Sequence, residues 1–262
     1  MTGTELKSLW KQGRTSLGYT SVSSDLNVAL MAGQVGFDWM LIDQMHAPRN
    51  PETVAAIIQA AKRTSACPIV RVPRNDPVII GQYLDQGAIG VMVPEIRTAS
   101  DARQAVRSCR YQPEGLRKHG LHAASDFGWN SAYYAHADQA AVVIIQVEHV
   151  DFSQEIDSIL TVEGIDALYI RTMDLSRSMN LGGQWDQPDF IATVQALVNK
   201  AEGKGIPIGV PAQGLGGMEN SLQWLAQHAP AVRLLGLGID LKLIERGARV
   251  MLETVMDSVG SR

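Results

Sequence analysis

Eight times along the chain, a short and nearly unbroken apolar run gives way to a longer segment of helical period. The runs fall at residues 15–20, 39–43, 68–72, 89–93, 142–148, 167–170, 206–210 and 232–237. Several are almost pure Val, Ile and Leu, the pattern of strands covered on both faces in a parallel sheet. The helical segments span 27–32, 51–62, 77–86, 99–109, 152–160, 188–204, 218–227 and 241–259. The second of these starts well: Asn50 stands at the N-cap and Pro51 at the first helical position. Eight strand–helix pairs in 262 residues match a (β/α)₈ TIM barrel, an α/β fold, as a single domain over 1–262. A doubly wound open sheet is the competing architecture. It usually carries a glycine fingerprint after its first strand, where this chain reads Thr20-Ser21-Val22-Ser23-Ser24. The one long irregular stretch, 111–140, has the length of a loop that is functional or partly helical.

Charge narrows the function classes. The 23 Lys+Arg and 27 Asp+Glu give a formal charge of −4, which supplies no basic face for nucleic acid. No run approaches the ~20 apolar residues of a membrane span, and the first thirteen residues lack the apolar stretch of a secretory leader. Two cysteines, Cys67 and Cys109, are too few for a disulfide scaffold and suit a reducing compartment. The expectation is a soluble, cytoplasmic protein with no nucleic-acid or membrane partner.

In such a barrel the chemistry gathers where the strands end. Strand two ends in Asp43 and runs on to His46, strand three ends in Arg71, strand five in Gln146 and Glu148, and strand six is followed by Arg171 and Asp174. Polar groups closing apolar runs would meet at one rim. Gln146 and Glu148 are two apart on a strand and so share a side. Glu148 and Asp174, on neighbouring strand ends, could hold one Mg²⁺ or Mn²⁺; alternatively they cap helices or pair with Arg171 and Arg71. Arg71 offers a rigid five-donor fork to a carboxylate, carbonyl or enolate oxygen, or pairs with Asp43 or Glu148. His46 is the natural general base. Asp85, at the end of a helix, reads as a capping or solvated carboxylate. No lysine closes a strand, which argues against imine chemistry. Gly236-Leu237-Gly238 reads as a tight turn before the last helix rather than a phosphate site.

Several segments together resemble one family. They are Leu41-Ile42-Asp43-x-x-His46-Ala47-Pro48, Val70-Arg71-Val72-Pro73-x-Asn75-Asp76-Pro77, Leu84-Asp85-x-Gly87 and Val91-x-Val93-Pro94, followed by Tyr111-x-Pro113-x-Gly115-x-Arg117, Gln146-x-Glu148, Val162-Glu163-Gly164-Ile165-Asp166 and Asp174-Leu175-Ser176. They resemble the HpcH/HpaI class II, metal-dependent pyruvate aldolases, over about residues 18–248. The resemblance implies a barrel of the phosphoenolpyruvate/pyruvate type whose last helix is swapped between subunits, in homohexamers built as trimers of dimers. It implies Mg²⁺, Mn²⁺ or Co²⁺ on Glu148 and Asp174, chelating a 2-keto acid such as pyruvate or oxaloacetate. Arg71 then steadies the enolate oxygen, with Gln146, Thr172 and Met173 around the substrate. His46 works as acid or base at the oxygen of the aldehyde partner, supported by Asp43 and by Asp85 of a neighbouring subunit. The implied reaction is aldol cleavage or formation of 4-hydroxy-2-keto acids, with oxaloacetate decarboxylation or a carbon–carbon bond-forming synthase as alternatives.

Three positions depart from the family pattern. Its Gly-Pro before the metal aspartate is Arg171-Thr172 here, its acidic residue before the histidine is Met45, and its Arg-Gly-x-Gly is Arg117-Lys118-His119-Gly120. Arg171 either pairs with Asp174 and weakens the metal site, or joins the substrate-binding residues and reads a second anionic group. The departures leave open a substrate different from the usual one, or a keto acid- and metal-binding barrel with reduced turnover.

Overall fold

The computed structural model describes residues 1–212 and 217–259. Its strands are β1 (Ser16–Ser21), β2 (Trp39–Asp43), β3 (Cys67–Arg71), β4 (Gly90–Val93), β5 (Val142–Val147), β6 (Ala167–Ile170), β7 (Ile208–Pro211) and β8 (Val232–Ile239). All pair in parallel in chain order, and β8 returns to β1, so the barrel is closed. Eleven α-helices surround it among the described residues. They are α1 (Gly3–Lys11), α2 (Leu26–Val35), α3 (Pro51–Ala61), α4 (Pro77–Asp85), α5 (Ala99–Ser108), α6 (Tyr133–Ala140), α7 (Val150–Ile159), α8 (Thr172–Ser178), α9 (Pro188–Glu202), α10 (Met218–His228) and α11 (Asp240–Val259).

Strand periodicity divides the core in two. Trp39, Leu41, Cys67, Ile69, Val142, Ile144, Ala167, Tyr169 and Leu234 pack in the barrel interior, while Met40, Ile42, Val70, Val143, Leu168 and Ile170 face the helices. Continuous burial on both faces explains the unbroken apolar runs. The interior is plugged at the strand N-termini by α1, which adds Leu6, Leu9 and Trp10. This helix was not among the periodic segments; Thr2 and Glu5 start it through a capping box. The long stretch 111–140 contains α6, and a short helix, α8, directly follows β6.

Close packing makes Gly18 a test of the interior. A Cβ there would lie 2.0 Å from the Trp39 ring, whose indole N–H donates to Ser16 Oγ at 3.1 Å. Gly18→Ala is expected to lose about 1–3 kcal/mol through overpacking, read as a lower urea midpoint. An unchanged midpoint would show that the indole yields freely.

Candidate active site

Counting in twos along the inward face of the strands leads from the core to the mouth. After Trp39 and Leu41 comes Asp43; after Cys67 and Ile69 comes Arg71; after Ala167 and Tyr169 comes Arg171. Asp43, Arg71, Tyr169 and Arg171 line a cavity of about 390 Å³ together with Thr20, Val22, His46, Thr172, Met173, Pro211, Gly236, Gly238 and Ile239. Of the residues singled out in the sequence, Asp43, His46, Arg71, Arg171, Thr172 and Met173 thus share one cavity.

Asp43 organises one wall. Its two oxygens accept Arg71 Nε at 3.0 Å and Arg71 Nη2 at 2.6 Å, and Oδ1 also accepts the backbone N–H groups of Met45 and His46. Both side chains are buried, 2% and 3% exposed. Burial pushes the Asp43 carboxyl up, but the bonds and charge of Arg71, with the two amides, outweigh it and hold the carboxyl below its ordinary value. Asp43 thus meets His46 through the backbone rather than the ring, and the exposed imidazole is left facing the cavity. Arg71 Nη1 is buried without a protein partner.

Glu148 and Asp174 do not line the cavity but stand next to Arg171, which does. Glu148 follows β5 directly, where Arg171 N–H donates to Val147 O, so the ends of β5 and β6 bring 148 and 171 side by side. Glu148 Oε1 accepts the N–H of Glu95 at 2.6 Å, and Oε2 accepts Gln146 Nε2. Glu95 adopts a left-handed φ of 59°, unusual for a side chain and the kind of backbone held at sites. Gln146 is buried, and its Oε1 has no protein partner. Asp174, in the first turn of α8, is half-exposed and accepts Arg171 Nε at 3.2 Å. The ion-pair reading of Arg171 is thus realised geometrically while its side chain still lines the cavity.

Asp85 does not join this group. It closes α4 near the start of β4, at the other end of the barrel, and binds Arg117 Nη2 at 2.6 Å. His122 Nε2 lies 3.5 Å from the same carboxylate oxygen, and Arg117 also stacks on Tyr111, 4.2 Å from the ring centre. Burial pushes the His122 pKa down against the pull of Asp85.

Sequence reading missed Thr20, Tyr169 and Pro211, and took Gly236 and Gly238 for a turn. The signal was available: each shares the inward parity of the residues that were singled out, two positions before Arg171 in the case of Tyr169. Gly236 and Gly238 lie within β8 rather than in a turn after it. A Cβ at Gly236 would sit 2.4 Å from the Tyr169 hydroxyl, so the cavity wall needs glycine there.

A cavity at the strand C-termini of a closed parallel barrel, walled by charged residues at the ends of β2, β3 and β6, is the anatomy of a TIM-barrel enzyme. More particularly, the chain belongs to the HpcH/HpaI aldolase/citrate lyase family, whose profile matches residues 21–244. It is accordingly a carbon–carbon lyase of the aldolase type. It is 30% identical over 237 residues to the 5-keto-4-deoxy-D-glucarate aldolase of Escherichia coli O157:H7, covering 90% of each chain. An HpcH/HpaI aldolase/citrate lyase family protein from Burkholderia cenocepacia superposes with a TM-score of 0.88 at 28% identity, over 96% of this chain and 99% of that one. The citrate synthase SbnG superposes at 0.82 with 27% identity, over 97% and 98%.

Proposed function

We propose that this chain is a divalent-metal-dependent aldolase that cleaves and forms 4-hydroxy-2-keto acids through a pyruvate enolate. The observation that carries this reading is Arg71: a buried guanidinium on the cavity wall, locked by Asp43 through two donors, with Nη1 unpartnered. A buried donor without a partner is costly, and a keto or enolate oxygen at that position would satisfy it. Being oriented before substrate arrives, it needs no rearrangement as negative charge develops.

The donor set beside it suits a hard cation. Glu148 and Asp174 supply carboxylate oxygens, and the orphaned Gln146 Oε1 lies next to Glu148. No cluster of three or more His, Cys, Asp or Glu among the described residues could cage a metal. Two carboxylates, Glu148 and Asp174, would hold Mg²⁺, Mn²⁺ or Co²⁺ with water and substrate oxygens filling the other positions. Such an ion, when bound, polarises the keto group and makes the adjacent C–H bond acidic. Arg71 donates to the same oxygen, and His46 exchanges a proton with the hydroxyl or aldehyde oxygen of the partner fragment. Thr172 and Met173 shape the wall beside the substrate.

The test is a pyruvate-release assay on 4-hydroxy-2-keto acids with and without EDTA. Metal-dependent pyruvate release is the expected result. Keto acid and Mn²⁺ binding without release would leave a binding barrel and overturn the aldolase reading. Loss of CO2 from oxaloacetate would also give the pyruvate enolate, so decarboxylation and condensation with oxaloacetate are assayed in parallel.

The same reading makes the protein cytoplasmic and hexameric, a trimer of dimers. Cys67 and Cys109 are buried, with burial pushing both thiols up to about 12, which fits a protein without disulfides. Among the described residues no helix is long and apolar enough to cross a membrane. Along α11, Ile244, Met251, Leu252 and Val255 are exposed, the surface a swapped helix would bury on its partner. Asp85 lies too far from its own cavity to act there and would support His46 only in a neighbouring copy. Sedimentation is expected to show a species well above 28.4 kDa. A monomer with full activity would remove Asp85 from the mechanism.

A further inference from the structure

Two guanidiniums wall the cavity, and their partners differ in kind. Arg71, on β3, is matched by Asp43, whose two oxygens it occupies in a buried pair. Arg171, beyond β6, is matched among the described residues by Asp174 alone, in a pair whose side chains are 25% and 44% exposed. Asp43 is the only acidic residue lining the cavity among the described residues. Between the two arginines lies Tyr169, within electrostatic reach of both. If Asp174 is given over to a cation, the Arg171 fork loses its carboxylate while still lining a cavity of about 390 Å³, larger than a three-carbon acid needs.

We propose that Arg171 is a specificity-determining residue that exchanges partners: it holds Asp174 in the metal-free chain and passes to the second carboxylate of a dicarboxylic 2-keto acid once a divalent cation takes Asp174. This inference rests on the metal-dependent reading above. Arg171 and the cation compete for one carboxylate, so the arginine weakens the bare metal site. A ligand that receives the freed guanidinium restores what the competition removed. Metal and dicarboxylate therefore bind with positive coupling beyond what a shared keto oxygen supplies, and that added coupling runs through one side chain. A monocarboxylic keto acid held at Arg71 and the cation gains nothing from the exchange.

Mn²⁺ binding followed by electron paramagnetic resonance separates the two roles without relying on turnover. Full-length wild type, Arg171→Met and Arg171→Lys are titrated with Mn²⁺ alone. They are then titrated at saturating Mn²⁺ with a matched pair of five-carbon acids, 2-oxoglutarate and 2-oxopentanoate. Arg171→Met is expected to bind Mn²⁺ about two- to fivefold more tightly, the worth of a partly exposed ion pair. It should bind 2-oxoglutarate about ten- to a hundredfold more weakly and 2-oxopentanoate as wild type does. Arg171→Lys, which keeps the charge and lacks the fork, should retain part of the preference for 2-oxoglutarate. If Arg171→Met tightens Mn²⁺ yet treats both acids as wild type does, the arginine only shields Asp174 and the proposal fails. Unchanged Mn²⁺ affinity overturns it as well. Wild type that binds no Mn²⁺ overturns this proposal together with the metal-dependent reading, whereas the other two outcomes leave that reading standing.

Discussion

Arg71→Met is expected to lower kcat/KM about a hundred- to a thousandfold and to destabilise the barrel by about 3–5 kcal/mol. The two effects have one origin. Arg71 spends two of its donors on the buried Asp43 carboxylate and keeps a third unpartnered at the cavity wall. Removing it takes away the donor proposed to meet the enolate oxygen and strands a negative charge that is 2% exposed. The pH dependence should change with it. In the wild type the Asp43 carboxyl titrates below its ordinary value, so the stability it contributes is complete above the unfolded value of about 3.9. That stability is lost as pH falls through the lower, folded value. In Arg71→Met only the Met45 and His46 amides still oppose burial, so the folded value rises and the variant should regain stability on mild acidification, where the wild type gains nothing. Adding Asp43→Asn should recover much of the lost stability but none of the activity. Urea denaturation at two pH values and steady-state kinetics read all of this. A variant of wild-type stability at neutral pH would show that Asp43 does not depend on Arg71.

Glu148→Gln is expected to abolish tight Mn²⁺ binding and to reduce turnover by roughly three orders of magnitude, since loss of the ion removes several kcal/mol of charge stabilisation. The substitution is nearly isosteric. Its amide oxygen can still accept the Glu95 N–H, so the left-handed turn after β4 should keep its shape. What changes is the charge beside Gln146. Stability should move little, because this carboxylate is only part-buried. Mn²⁺ titration, activity and a thermal melt measured together distinguish loss of the ion from loss of the fold. Wild-type Mn²⁺ affinity in Glu148→Gln would move the metal elsewhere.

Much of the site was legible because strand chemistry is periodic. An apolar run that ends in Asp43, Arg71 or Glu148 marks a strand C-terminus, and in a parallel barrel all such ends fall on one rim. The same counting reaches Tyr169 and Gly236, but nothing in their residue type announces a site, so they pass as core and turn. The helices α1 and α8 were not legible from apolar period. Each is short, and each is held by its caps or by its place against the barrel rather than by its own pattern.

The sequence by itself determined the parallel (β/α)₈ barrel and the polar residues that end its strands, because burial on both faces and the two-residue repeat are local properties of each strand; the family resemblance was carried by its motifs. Only the tertiary structure decided who pairs with whom. Arg71 had Asp43 and Glu148 as rival partners, and closing β2 against β3 in register placed it on Asp43. Arg171 took Asp174 because α8 begins at once after β6 and brings position 174 back over 171. Asp85 went to Arg117 at the opposite end of the barrel, since α4 runs back from the mouth before it ends. A charge is written in the chain, but its partner is set by which strand ends and helix ends meet in space, and ion pairs act only over the few ångströms that such meetings create.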